Sequence, residues 1–91
     1  MTDKICIHCY VSGKVQDVWF RASTQEEAEK LGITGYAKNL ADGRVEVIAC
    51  GSRNKIEKLH AWLKHGPSLA NVTDLTYEEL PWQEYNSFET L

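Results

Sequence analysis

The segment from residue 11 to residue 21 constrains the fold of this chain more than any other segment. An alternating apolar pattern runs into Gly13, a short loop follows, and a helical pattern begins at Phe20 and Arg21. A strand, a tight loop and a helix start in this order direct several backbone N–H groups into one hollow, where the helix dipole adds partial positive charge. Arg21 adds a guanidinium group suited to phosphate or carboxylate.

We therefore predict an anion site at this junction, with phosphate as the preferred ligand. The residues alone leave a second interpretation open, in which Gly13 only permits a turn and Arg21 is a solvated residue of the first helical turn. Strand–glycine–helix junctions are common, so the spacing by itself does not decide between the two.

Side-chain periodicity predicts the elements on both sides of this junction. Alternation over residues 4–12 predicts a strand, and steps of three and four residues from Phe20 to Leu31 predict a helix that ends at Gly32. Residues 34–40 read as a second strand, which an Asp-Gly hairpin turn connects to the next one.

The second half of the chain repeats the alternation of strand and helix. Residues 44–50 predict a third strand, which Gly51 interrupts, and Ser52 is a suitable N-cap for a second helix. A fourth strand is predicted over residues 72–80, and a short edge strand is predicted around Phe88.

The order β-α-β-β-α-β predicts an α+β, ferredoxin-like sandwich, with an antiparallel sheet and both helices on one face. A chain of 91 residues suits a single domain, which we expect to span residues 1–91. The predicted core consists of Ile5, Ile7, Val11, Phe20, Ala28, Leu31, Ala37, Val45, Val47, Ile56, Leu59 and Leu63.

Charge and hydropathy narrow the expected environment and partners. The net charge is −3, and residues 65–91 carry 5 acidic and no basic side chains. This balance argues against a nucleic-acid partner. The chain shows no apolar run long enough for a bilayer and no signal-peptide pattern, so we expect a cytoplasmic protein without membrane contact. Nothing in the sequence indicates oligomerisation, so we expect a monomer.

The number of cysteines also favours a cytoplasmic location. An odd count cannot pair completely and suits a reducing environment, so we expect Cys6 on the surface and Cys9 in the core. Cys6 and Cys9 form a CxxC spacing, but residues three apart on a strand point to opposite faces. We therefore predict neither a metal site nor a cofactor.

Two motifs resemble the signature of the acylphosphatase family. The first is Val11-x-Gly13-x-Val15-Gln16-x-Val18-x-Phe20-Arg21. The second is Gly35-Tyr36-Ala37-Lys38-Asn39-x-x-Asp42-Gly43-x-Val45-Glu46, followed by Gly51. Both occur in the family's order and at its separation, and the similarity spans roughly residues 5–80.

The resemblance implies hydrolysis of acyl phosphates to a carboxylate and inorganic phosphate, without a metal or a covalent intermediate. Arg21 would bind the phosphoryl oxygens, and Asn39 would position the attacking water. Backbone amides of the loop would hold the same phosphoryl group; they belong to Lys14, Val15, Gln16, Asp17, Val18, Trp19 and Phe20.

One position departs from the family pattern, because Asp17 stands where the family has glycine. If this position has a positive φ, aspartate is among the few residues that tolerate it, at a strain of ~1–2 kcal/mol. A carboxylate beside a phosphate site also opposes anion binding. The alternative function is therefore a weakly active or inactive phosphate-binding module. A third interpretation, an RNA-binding domain, lacks an aromatic-rich central strand, since Val45-Glu46-Val47-Ile48 offers no stacking platform.

Overall fold

The computed structural model describes residues 3–91, and its elements follow the predicted order. The strands are β1 (Lys4–Lys14), β2 (Thr34–Asn39), β3 (Val45–Ser52), β4 (Asn71–Leu80) and β5 (Phe88–Thr90), and the helices are α1 (Phe20–Lys30) and α2 (Arg53–Leu63). The predicted β-α-β-β-α-β order is confirmed, as is the short strand at Phe88. Within the described residues, neither helix is long and apolar enough to cross a bilayer.

The five strands form one sheet in the order β4-β1-β3-β2-β5. Strand β1 pairs with β3 and β4, and β2 pairs with β3, all antiparallel as predicted. Strand β5 differs, because it runs parallel to β2, with Gly35 opposite Phe88. The chain leaves β4 at one edge of the sheet and reaches β5 at the other, and this crossing sets the direction of β5.

Two predicted boundaries are corrected by the pairing of the strands. Strand β1 continues to Lys14, because Gly13 and Lys14 still pair with β4 beyond a register shift. Gly51 does not interrupt β3, since it lies opposite Ile5 within the ladder. Ser52 occupies the N-cap of α2 as predicted, but its hydroxyl donates to Asn54 Oδ1 at 2.8 Å rather than to a backbone N–H group.

Both helices pack on the same face of the sheet and enclose the main core. Helix α1 buries Phe20, Thr24 and Ala28, and α2 buries Ile56, Leu59 and Leu63. The predicted core is confirmed except at Leu31, which is only partly buried against it. Gly32 adopts φ 69° immediately after this residue, the left-handed conformation typical of a helix C-terminus.

The opposite face of the sheet corrects the prediction for the cysteines. Cys6 is fully buried rather than exposed, and it forms a disulfide with Cys50, its cross-strand neighbour. Residues 81–87 cross this face, where the Gln83 N–H donates to Cys6 Sγ at 3.1 Å and Tyr85 packs against the pair. Alternation identifies the face of Cys6 correctly but does not reveal the segment that covers it. Cys9 lies in the core, as predicted.

Candidate active site

Two buried valine side chains attach the loop between β1 and α1 to the core. Val15 and Val18 are buried in the main hydrophobic cluster, whereas Asp17 and Trp19 between and after them are exposed. Buried valines are stiff at χ1 and pack in one arrangement, so they hold the loop backbone in place.

The backbone of this loop adopts left-handed conformations at two residues other than glycine. Asp17 has φ 62°, and Trp19 has φ 65° and ψ 20° at the N-cap of α1. A left-handed residue followed by a right-handed one turns successive N–H groups toward the same side, which is the geometry of an anion-binding nest. The sequence predicts strain at Asp17 if its φ is positive, and the structure shows that it is. The positive φ at Trp19 was not predicted.

Several backbone donors of this segment have no acceptor in the protein. Within residues 3–91, no side chain caps the start of α1 with a hydrogen bond. Its first backbone bond is the one that the Ser23 N–H donates to the Trp19 oxygen at 2.9 Å. Among residues 3–91, no acceptor receives a hydrogen bond from the N–H groups of residues 15–22. The helix dipole adds positive potential at the same point, so the junction favours an anion.

Arg21 lies in the first turn of α1 beside these donors. Its Nη1 donates a hydrogen bond to the main-chain oxygen of Leu91 at 2.7 Å, just beyond β5. Within the described chain, no acidic side chain forms a salt bridge with Arg21. A guanidinium has five N–H donors, so the bond to Leu91 leaves Arg21 able to bind an anion as well.

Asn39 is the last residue of β2 and brings a carboxamide group to the same place. Its Oδ1 is buried and has no hydrogen-bond partner among residues 3–91. An unpaired buried acceptor costs about 1–3 kcal/mol, and such groups concentrate at functional sites. The sequence predicts the position of Asn39 at a strand end, but only the structure shows that its Oδ1 is unsatisfied.

The hairpin after Asn39 is fixed from two directions. The Arg44 N–H donates to Asp42 Oδ1 at 3.1 Å, and the Arg44 Nε donates to Asp42 Oδ2 at 2.8 Å. The bond from the Arg44 N–H, together with the guanidinium group, holds the pKa of Asp42 below its usual range. From the loop side, Gln16 Nε2 donates to the oxygens of Leu40 and Arg44 at 2.7 and 3.0 Å.

One pocket of about 400 Å³ unites these features. The residues that line it are Val15, Asp17, Trp19, Phe20, Arg21, Ala22, Asn39 and Thr90. The structure thus brings Arg21 and Asn39 together with four of the predicted loop residues. Of the other three, Lys14 belongs to β1, Gln16 is bonded to the hairpin, and Val18 is buried in the core.

Sequence reasoning missed two residues that line this pocket and one contact that supports it from outside. Ala22 follows Arg21 on α1 and could have been included from helical geometry alone. Thr90 reaches the pocket only because β5 lies beside β2, and no local pattern in the sequence indicates that pairing. The Gln16 side chain reaches the hairpin through a contact that spans 24 residues, so no local signal could have identified it.

The acylphosphatase family model matches residues 7–90, which includes every residue that lines the pocket. This chain belongs to the acylphosphatase family. Acylphosphatases are hydrolases that act on acid anhydrides, and the recognition of the family from the two motifs is confirmed.

Individual acylphosphatases are similar over nearly the whole chain. An acylphosphatase of Legionella pneumophila (strain Corby) is 55% identical over 91 residues, which is 100% of both chains. A solved acylphosphatase from Coxiella burnetii superposes with a TM-score of 0.94 at 45% identity, covering 98% of this chain and 94% of that one. The acylphosphatase from Bacillus subtilis gives a TM-score of 0.92 at 34% identity, covering 96% and 98%. These similarities confirm the predicted ferredoxin-like fold.

The CxxC spacing of Cys6 and Cys9 in this chain does not form a chelating pair. Cys6 belongs to the buried cluster on the sheet face away from the helices, and Cys9 belongs to the core between sheet and helices. Burial raises the pKa of the Cys9 thiol to about 12, so this thiol stays protonated. Among residues 3–91, no three His, Cys, Asp or Glu side chains are grouped closely enough to hold a metal ion.

Proposed function

We propose that this chain hydrolyses acyl phosphates to a carboxylate and inorganic phosphate by direct attack of water on phosphorus. The observation that carries the proposal is the pocket that Arg21 and Asn39 line at the junction of the loop and α1, where the main-chain N–H groups of residues 15–22 have no acceptor among residues 3–91. The membership of the acylphosphatase family supports the same reaction.

The phosphoryl group would bind at the junction of the loop and α1. Charge in the transition state of phosphoryl transfer spreads over three equatorial oxygens, so catalysis depends mainly on position and on stabilisation of that charge. Backbone N–H groups and the Arg21 guanidinium supply such stabilisation in a fixed arrangement. Loss of one donor in comparable oxyanion sites lowers the rate by ~10²–10³-fold.

Asn39 would orient the attacking water. A neutral carboxamide is a poor general base, so its contribution is to hold the water by hydrogen bonds beside the phosphorus atom. The place of Asn39 in the pocket lining supports this role, since a carboxamide has both a donor and an acceptor with which to hold a water. The proton of the water would pass to the phosphoryl group itself.

The chemistry of the substrate explains why few side chains suffice. A carboxylate is a good leaving group, so the departing oxygen needs little help from an acid. Within the described residues, the only basic side chain that lines the pocket is Arg21, and the only acidic one is Asp17. We therefore propose a mechanism that needs neither a protein general acid nor a metal ion.

The test is hydrolysis of benzoyl phosphate with and without EDTA, by the natural chain and by Arg21→Ala and Asn39→Ala. We expect turnover that persists in EDTA. Arg21→Ala should lose phosphate affinity and turnover together, whereas Asn39→Ala should lose turnover and keep its inhibition constant for phosphate. Asn54→Ala and Lys58→Ala, which lie on α2 outside the pocket, are the matched controls. Loss of phosphate affinity in Asn39→Ala with full turnover at saturation would refute the role of Asn39.

A second candidate function rests on Asp17. Its side chain lines the pocket, and no basic side chain of residues 3–91 forms a salt bridge with it. An unpaired carboxylate beside an anion site weakens anion binding, which suits a module that holds phosphate with little turnover. Turnover by Asp17→Gly alone, with none by the natural chain, would favour this candidate.

A further inference from the structure

We propose that Asp17 and Trp19 select the acyl part of the substrate, so that the pocket favours apolar acyl groups without negative charge. The inference rests on the proposed hydrolysis of acyl phosphates and adds the substrate class. Asp17 and Trp19 flank Val18, whose side chain is buried, and both line the pocket from its exposed side.

The pocket has room for more than a phosphoryl group. With about 30 Å³ for one water as the measure, the four heavy atoms of a phosphoryl group displace on the order of 100 Å³. The pocket measures about 400 Å³. The pocket lining also includes Trp19, Ala22 and Thr90, which have no charge with which to bind a phosphoryl group. The remaining space is where the acyl group of a bound substrate would lie.

Trp19 provides an apolar wall for that space. Its side chain is 75% exposed, the largest exposed fraction among the large hydrophobic residues of the described chain. The left-handed backbone at Trp19 fixes where the side chain leaves the chain, at the start of α1. An indole that remains exposed beside a pocket can cover an apolar or aromatic acyl group and remove both surfaces from water.

Asp17 adds a negative charge to the pocket lining near Trp19. At the phosphoryl end, Arg21 and the free N–H groups oppose the repulsion between Asp17 and the phosphate. Among residues 3–91, Arg21 is the only basic side chain in the pocket lining, so with Arg21 bound to the phosphoryl group a carboxylate on the acyl group would meet Asp17 without compensation. An ammonium group on the acyl chain would be attracted instead.

The experiment compares para-methylbenzoyl phosphate with para-carboxybenzoyl phosphate, which have nearly the same shape and differ by one charge. The measured quantity is the ratio of their kcat/KM values in the natural chain and in Asp17→Asn. Asparagine also tolerates a positive φ, so this variant removes the charge and keeps the backbone. The different reactivities of the two substrates cancel when the ratios are compared between enzymes.

We expect the preference for the methyl substrate to fall about three- to tenfold in Asp17→Asn, and to fall in the natural chain as salt is added. Glu29→Gln, an exposed position on α1 outside the pocket, changes net charge equally and should keep the natural ratio. An equal ratio in the natural chain and Asp17→Asn would overturn the charge selection.

Trp19 is tested with Trp19→Asn, which removes the indole and tolerates the left-handed backbone. We expect KM for para-methylbenzoyl phosphate to rise several-fold relative to KM for acetyl phosphate, which has little acyl surface to cover. An unchanged ratio of the two KM values would overturn the apolar wall. If the natural chain hydrolyses none of these substrates, the proposed function itself fails and the inference falls with it.

Discussion

Gln16 and Leu40 join the two halves of the site through a hydrogen bond of 2.7 Å from the Gln16 side-chain amide to the Leu40 main-chain oxygen. Leu40 follows Asn39, and Gln16 precedes Asp17 in the loop. A second bond from the same amide reaches the Arg44 oxygen at 3.0 Å. These two bonds link the loop directly to the hairpin that follows Asn39, and so help to set the position of the Asn39 carboxamide relative to the loop.

Gln16→Met should lower kcat more than it changes the inhibition constant for phosphate. The substitution keeps the length of the side chain and removes two hydrogen bonds, so Asn39 loses its fixed position relative to the loop. We also expect a loss of about 1–2 kcal/mol in the free energy of unfolding. Steady-state kinetics and urea unfolding measure the two effects. A reduced phosphate affinity with normal kcat would contradict the positioning role.

Asp17→Gly should stabilise the protein by ~1 kcal/mol and tighten phosphate binding. Glycine relieves the strain at φ 62° and removes the carboxylate from the pocket. Asp17→Ala separates the two effects, because alanine removes the charge but is strained at this φ. This variant should therefore bind phosphate more tightly than the natural chain and be less stable. Unchanged stability and an unchanged inhibition constant in Asp17→Gly would show that neither effect operates.

Reduction of the disulfide between Cys6 and Cys50 should lower the free energy of unfolding by about 2–4 kcal/mol. The bond closes a loop across a sequence separation of 44 residues, which restricts the unfolded chain. Urea unfolding with and without reductant measures the change. The matched chain is Cys9→Ala, which keeps the pair and removes the third thiol. Coincident unfolding curves in the two conditions would contradict the expectation.

The Cys9 thiol should make stability decrease in alkaline solution. Burial raises its pKa from 9.0 to about 12, so the folded state keeps a proton that the unfolded state releases. The resulting stabilisation is complete below about pH 9 and is lost between about pH 9 and 12, at up to ~1.4 kcal/mol per pH unit. The free energy of unfolding of the natural chain should therefore fall relative to that of Cys9→Ala as the pH rises from about 9 to 12. A constant difference would contradict the shift.

The layout of the fold could be predicted from the sequence because its strands and helices have clear periods. Alternation identified β1, the steps from Phe20 identified α1, and the Asp42-Gly43 turn fixed the pairing of β2 with β3. The burial of Cys6 could not be predicted, because it depends on residues 81–87, which have no periodic pattern and contact β1 from the far end of the chain. The parallel direction of β5 depends on the same crossing.

The features of the candidate site also divide into those that the sequence predicts and those that only the structure shows. Arg21 and Asn39 were recognisable because each belongs to a motif whose residues are close in sequence. The bonds from Gln16 to the hairpin, the position of Thr90 and the bond from Arg21 to Leu91 all join segments that are distant in sequence. The left-handed conformation of Trp19 could not be predicted either, since a bulky residue rarely adopts it.

The most direct test of the central claim is the fate of solvent oxygen during hydrolysis of benzoyl phosphate in water labelled with heavy oxygen. If Asn39 directs water to a phosphoryl group held by Arg21 and the loop amides, the label enters inorganic phosphate and benzoate remains unlabelled. Mass spectrometry of both products after one turnover gives the answer. Label in benzoate would place the attack at the carbonyl carbon and contradict the proposed mechanism.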